Sequence, residues 1–116
     1  MDTVSNLTPH NLFGVFELDS AGTVMYYGKR NDGNLLESKP NLIGRNFFEE
    51  AATFENVLDF QRRFKRFVSD SFSTDNFNFS FRSREDVTEA KVMLLHVRER
   101  DFDKSINLVI VDIRKA

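Results

Sequence analysis

The phenylalanines of this chain change their spacing partway along it. At Phe60, Phe64 and Phe67 they fall three or four residues apart, whereas at Phe77, Phe79 and Phe81 they recur at every second residue. The first spacing places side chains on one stripe of an α-helix, and the second places them on one face of a β-strand. The pattern therefore predicts a helix over 53–70, "TFENVLDFQRRFKRFVSD", and a half-buried antiparallel strand over 76–84, "NFNFSFRSR". Val57 and Val68 extend the helical stripe, while Arg62, Arg63, Lys65 and Arg66 fall largely away from it. Thr53 or Asn56 caps the helix start, and Asp59 precedes Arg63 in the order that favours an i,i+4 pair. Asn78, Ser80 and Arg82 take the outer face of the strand, so the helical stripe and the strand phenylalanines supply one buried layer.

The remaining strands announce themselves by residue type. "LFGVFELD" (12–19) and "TVMYYG" (23–28) are β-prone runs joined through Asp19-Ser20-Ala21-Gly22, a hairpin with Gly22 available for a positive φ. "KVMLLHVRER" (91–100) and "SINLVIVDIR" (105–114) read as two further strands, linked through Phe102-Asp103-Lys104. Between the hairpin and the helix, 29–38 is polar and turn-rich and predicts short helical turns, and "KPNLIG" predicts a bend. The order is strand, strand, helical middle, strand, strand, strand. That argues α+β, a five-stranded antiparallel sheet with short helices and one longer helix on one face. Residues 1–11 are polar and unpatterned and read as a flexible or loosely docked lead-in; 12–116 reads as one domain.

Composition narrows the chemistry. Thirteen phenylalanines, two tyrosines and no tryptophan leave few aromatic polar handles, so the rings either pack tightly or wall a flat-sided pocket. No cysteine is present, which removes disulfides, thiolate catalysis and cysteine-held metals. The N-terminus "MDTVSNLTPHNL" lacks the features of a signal peptide, and no apolar stretch approaches the roughly 20 residues that span a bilayer. The expected setting is the cytoplasm, away from membranes. A formal net charge of −2 argues against a nucleic-acid binder.

"IGRNFFEE" (43–50) sets two large rings side by side. Gly44 permits a sharp turn, Asn46 can bond nearby backbone, and the bend lets Phe47 and Phe48 both be buried. With these residues, "GVFELDSAGTVMYY", "LIGRNFFEEAA", "DFQRRFKRFV" and "FNFSF" the chain resembles the PAS domains, and among them the photoactive yellow protein family. From residue 12 to residue 86 the two patterns lie together without a gap.

That resemblance implies a PAS fold and a sensory role, and it also implies that the family's photochemistry is lost. The family attaches p-coumaric acid through a cysteine, and Phe54 stands at that position. The tyrosine that holds the chromophore phenolate matches Tyr27. The supporting glutamate, threonine and arginine positions carry Asn31, Leu35 and Glu37. Flavin-binding relatives also need a cysteine, and haem-binding relatives use a histidine on the long helix, where residues 53–70 have none. The resemblance therefore implies no cofactor. It places an effector-linking helix behind the last strand, near "DIRKA", so the chain reads as an excised input domain.

Read from the residues, the candidate pocket is Tyr27, Asn31, Leu35, Phe47 and Phe54, with Tyr27 and Asn31 as a polar spot among rings or Tyr27 as a satisfied core tyrosine. Of the adjacent Tyr26 and Tyr27, one faces the core and the other the far side of the sheet. Glu49-Glu50 fits a solvated helix start better than acid–base work. The cluster "RRFKR" (62–66) fits a charged outer face better than a phosphate contact. No catalytic set or metal-ligand set is apparent. The expected function is a non-enzymatic sensory or interaction module that senses a small ligand, forms a homodimer, or both, and signals to an effector protein. Two alternatives stand beside it: a small enzyme using Tyr27 with Glu37 or Glu17, and a haem sensor through His96.

Overall fold

The first and last strands of the chain lie side by side in the middle of one sheet. A computed structural model describes residues 7, 12–29, 42–52, 54–70, 73–84, 86–101 and 104–116. The strands are β1 (Gly14–Asp19), β2 (Val24–Lys29), β3 (Thr74–Arg82), β4 (Val87–Asp101) and β5 (Lys104–Lys115). They are ordered β2-β1-β5-β4-β3, and every neighbouring pair is antiparallel. One face is covered by a single turn of π-helix (Phe47–Ala51) and by helix α1 (Val57–Ser69). This is the α+β layering that the residue pattern predicts.

Period-two burial follows the register. Tyr27, Phe16, Val111 and Leu94 form one row across the sheet, Ile113 and Val92 belong to the next inward-facing row, and all face the helices and are buried. From α1, Phe60, Phe64 and Phe67 meet them, with Val57 and Val68 partly buried at the stripe's margins. On β3, Phe81 is buried, and Phe77 and Phe79 pack against the core from the sheet's edge.

Several local expectations need correction. The helix begins at Val57, four residues later than the spacing suggests, and Thr53 lies outside the described residues. Asn56 occupies the cap position but makes no side-chain cap bond. Its amide instead donates from Nδ2 to the Ser80 carbonyl at 2.6 Å and accepts at Oδ1 from the Arg82 N–H at 3.0 Å. The Glu55 N–H adds a third bond, to the Arg82 carbonyl. Asn56 thus acts as a stub of strand that closes the end of the exposed edge β3, where unpaired backbone groups would otherwise face water. Asp59 pairs with Arg62 at 3.2 Å rather than with Arg63, because Arg63 is drawn to Asp75 across the helix–strand gap. β4 starts at Val87, earlier than its apolar run suggests, since Val87–Ala90 complete the ladder against Phe79–Arg82.

The corner around "IGRNFFEE" is built as its residue types require. Gly44 has φ +84° and Gly22 has φ +95°. Asn46 Oδ1 accepts from the Phe48 and Glu49 N–H groups, while Glu50 Oε2 accepts from the Asn46 N–H, a reciprocal cap. The Ala51 N–H then reaches the Asn46 carbonyl five residues back, which widens the turn to a π-helix. Widening rotates Phe47 and Phe48 so that both are buried. The corner is also laced to the β1–β2 turn. Phe47 N–H donates to Gly22, Val24 N–H to Arg45, Gly44 N–H to Val24, and Asn46 Nδ2 to Ala21.

Leu7 is buried and donates its N–H to the Ala51 carbonyl. The rest of the 1–11 lead-in, and the turns expected over 30–41, lie outside the described residues.

Candidate functional site

Three of the five candidate pocket residues are described, and stacked rings join them. Tyr27 stacks on Phe16 with centroids 4.7 Å apart, and Phe16 meets Phe47 edge-on at 5.2 Å. Phe47 leads to Phe60 at 5.9 Å, Phe60 to Phe81 at 5.4 Å, and Phe81 to Phe54 at 5.2 Å. Edge-to-face and offset contacts of this kind add roughly 0.5–1.5 kcal/mol per pair beyond burial. The path runs without a gap across the layer between sheet and helices, so Tyr27, Phe47 and Phe54 form part of the packed wall. Phe16 is not singled out by sequence, because an irregularity between Glu17 and Leu18 shifts the β1–β2 register by one residue and so sets Phe16 opposite Tyr27. Asn31 and Leu35 lie outside the described residues.

Tyr26 and Tyr27 divide between the two faces as strand alternation demands: Tyr27 is 6% exposed and Tyr26 is 51% exposed. The same alternation removes one enzymatic pairing. Glu17 stands opposite Tyr26 on the outer face, with the sheet between it and the Tyr27 ring. A Tyr27–Glu17 couple is therefore not formed. Glu37, the other proposed partner, lies outside the described residues. His96 lies on the inner face of β4 with its ring 5.5 Å from that of Phe67, packed beside the end of α1.

Burial pushes the Tyr27 phenol up from 10.0 to about 12, because a phenolate there would lose its hydration. The unfolded chain releases this proton near pH 10 and the folded chain near 12, so across that window the native state binds more protons. Stability that is full below pH 10 then falls as pH rises to 12, by about 2–3 kcal/mol from this residue. Urea unfolding at pH 9.5 and 11.5 should show the larger part of that loss, and Tyr27→Phe should lose less stability over the same interval. An equal loss in both proteins would exclude Tyr27 as its source.

The outer face of the sheet is unusual for an antiparallel sheet with one covered side, whose far face is commonly polar. In register across β1, β5 and β4 stand Val15, Leu108, Ile110, Met93, Leu95 and Val97. All are half-buried. Asp112, the buried charged residue among those described, sits at one end of this patch and accepts from Arg114 at 3.2 Å. A cavity of about 470 Å³ opens there between the Asn76, Asn78, Lys91 and Arg114 side chains. A second, of about 590 Å³, lies between α1 and the start of β3. Among the described residues no cluster of histidine, aspartate and glutamate is arranged to hold a metal, and no helix is long and apolar enough to cross a membrane.

Comparison with known proteins agrees with this architecture. The chain is 29% identical to the photoactive yellow protein of Halochromatium salexigens over 108 residues, covering 90% of this chain and 84% of that protein. It is 31% identical to the photoactive yellow protein of Rhodothalassium salexigens over 81 residues, 69% of this chain and 64% of that one. Its fold superimposes on the crystal structure of the photoactive yellow protein domain from the sensor histidine kinase Ppr of Rhodospirillum centenum. The TM-score is 0.62 at 24% identity, over 88% of this chain and 90% of that one. No protein-family model matches the chain.

Proposed function

Starting from a PAS-fold homologue of the photoactive yellow proteins that holds no cysteine, we propose a non-enzymatic sensory and interaction module of signal transduction. It acts in the cytoplasm, without p-coumaric acid photochemistry, and it works by association: the apolar outer face of the sheet docks a second copy of the chain. An effector protein then receives the change.

The observation that carries this reading is the contrast between the two faces of the sheet. The inner face is lined by rings in mutual contact, with Phe54 packed on Phe81 where a tethered chromophore would need a nucleophile. The outer face keeps an apolar centre at Leu95, Ile110 and Leu108, half-buried and on the side of the sheet away from α1 and the π-turn. Contiguous apolar surface of this kind marks interaction sites. The sensor histidine kinase around the matched domain supports an effector as the receiving partner.

Size-exclusion chromatography with light scattering tests the reading. The wild-type chain should run as a dimer at tens of micromolar. Ile110→Glu and Leu95→Lys, each placing a charge at the centre of the patch, should run as monomers with cooperative thermal melts. A wild-type chain that stays monomeric near 1 mM would sink the dimer.

A further inference from the structure

We propose that the groove between α1 and β3 is a binding site for a small organic anion with two or more acid groups. This deepens the sensory reading by naming a ligand class and its place, and depends on that reading only for its biological meaning.

The groove has a volume of about 590 Å³, within the range of roughly 300–1,000 Å³ that small-molecule sites occupy. Arg62, Arg63 and Arg66 line it from α1, and the buried ring of Phe67 contributes to its floor. These arginines stand with Asp59 at helical spacing on one stripe, while Lys65 of the same basic run is not among the lining residues. The distinction matters because a guanidinium presents a planar fork that matches carboxylate and phosphate oxygens, whereas an ammonium is a point charge.

Arg63 is held in place before any ligand arrives. Its Nε and Nη2 donate to the two Asp75 oxygens at 3.2 and 3.5 Å, and its guanidinium lies 3.8 Å over the Phe77 ring. Arg62 donates through Nη1 alone to Asp59, and Arg66 approaches Asp70 only to 3.8 Å, beyond hydrogen-bond reach. Each guanidinium has five N–H donors, so these two keep most of theirs for a guest. Asp59 and Asp75 also line the groove, and each is matched to an arginine, so their charge positions the forks and is offset by them. The Arg62–Asp59 pair is exposed on both sides, so it is worth little and exchanges readily. A guest with two acid groups would bridge Arg62 and Arg66 to Arg63 and lay its carbon skeleton on Phe67.

Titration of the full chain with citrate, followed by ¹H–¹⁵N correlation spectra at low salt, tests the site. The expected result is saturable shifts confined to the amides of 59–67 and 74–75, weakening as salt is added. Arg62→Ala/Arg66→Ala should weaken the apparent affinity at least tenfold, and Lys65→Ala should leave it within twofold. Both replaced arginines are more than three-quarters exposed, so the variant keeps its fold. Shifts that stay linear with citrate, map elsewhere, or persist unchanged in the double variant would overturn the site. Hexaglutamate binding the same residues more tightly than citrate would replace the small anion with an acidic protein partner. The Ile110→Glu chain should bind citrate normally, which separates failure of this site from failure of the docking face.

Discussion

Phe60→Ala is expected to remove about 3–5 kcal/mol of folding stability, the range for truncating a buried aromatic ring. Total stability for a domain is only about 5–15 kcal/mol, so the variant should unfold well below the wild type in urea and lose a sharp thermal transition. Phe60 earns that weight by position. Its ring touches those of Phe47 and Phe48 from the π-turn and of Phe77, Phe79 and Phe81 from β3, all with centroids within 6.1 Å. Removing it opens a cavity whose walls are flat, rigid rings with few rotamers available to close it. Phe60→Leu should recover more than half of the loss, because it refills most of the volume without the edge-to-face contacts. If alanine costs less than about 1 kcal/mol, the ring layer is not the centre of the core.

Gly22→Ala should cost about 3 kcal/mol, from two sources that a second variant separates. Alanine at a left-handed φ loses roughly 1–2 kcal/mol, and Gly22 sits at φ +95°. The added methyl would also come within 2.9 Å of the buried Phe48 ring, closer than such atoms approach. Crowding of a packed core typically adds 1–3 kcal/mol. Gly44 is the control, with φ +84° and open space where a methyl would go. Gly44→Ala should therefore show the backbone cost alone, and the difference between the two variants measures the contact with Phe48. Adding Phe48→Leu to Gly22→Ala should relieve part of the penalty. Equal losses at the two glycines would mean that Phe48 moves aside freely.

Both variants probe the same junction, where the β1–β2 turn is hydrogen-bonded to the corner before the π-turn. That junction shows what sequence carries and where it stops. Gly22, Gly44 and Asn46 could each be assigned a turn from their own chemistry, and each adopts it. That the two turns touch was not written in either one. The contact joins residues more than twenty apart in the chain, as Asn46 Nδ2 to the Ala21 carbonyl illustrates.

The same boundary runs through α1. Its buried stripe was plain from the spacing of Phe60, Phe64 and Phe67. Its start and its ion pairs were not, because Asn56 and Arg63 bond to β3 rather than to their own helix. Local propensity ranks the options within an element, and a partner brought in by the fold outbids it. The candidate site divides in a similar way. Tyr27, Phe47 and Phe54 are aromatic neighbours by sequence, and the fold joins them through the rings of Phe16, Phe60 and Phe81.

The sequence by itself determined the five strands, the long helix with its buried stripe, the buried face of β3, and the absence of any cysteine for a tethered chromophore. Periodicity and residue chemistry are local properties, and they survive whatever the chain does elsewhere. Only the tertiary structure decided that β5 inserts between β1 and β4, that Glu17 and Tyr27 stand on opposite faces, and that three arginines front one groove with Phe67 beneath. Those outcomes depend on which distant segments pack together, and the lowest-energy arrangement of a common core fixes that choice.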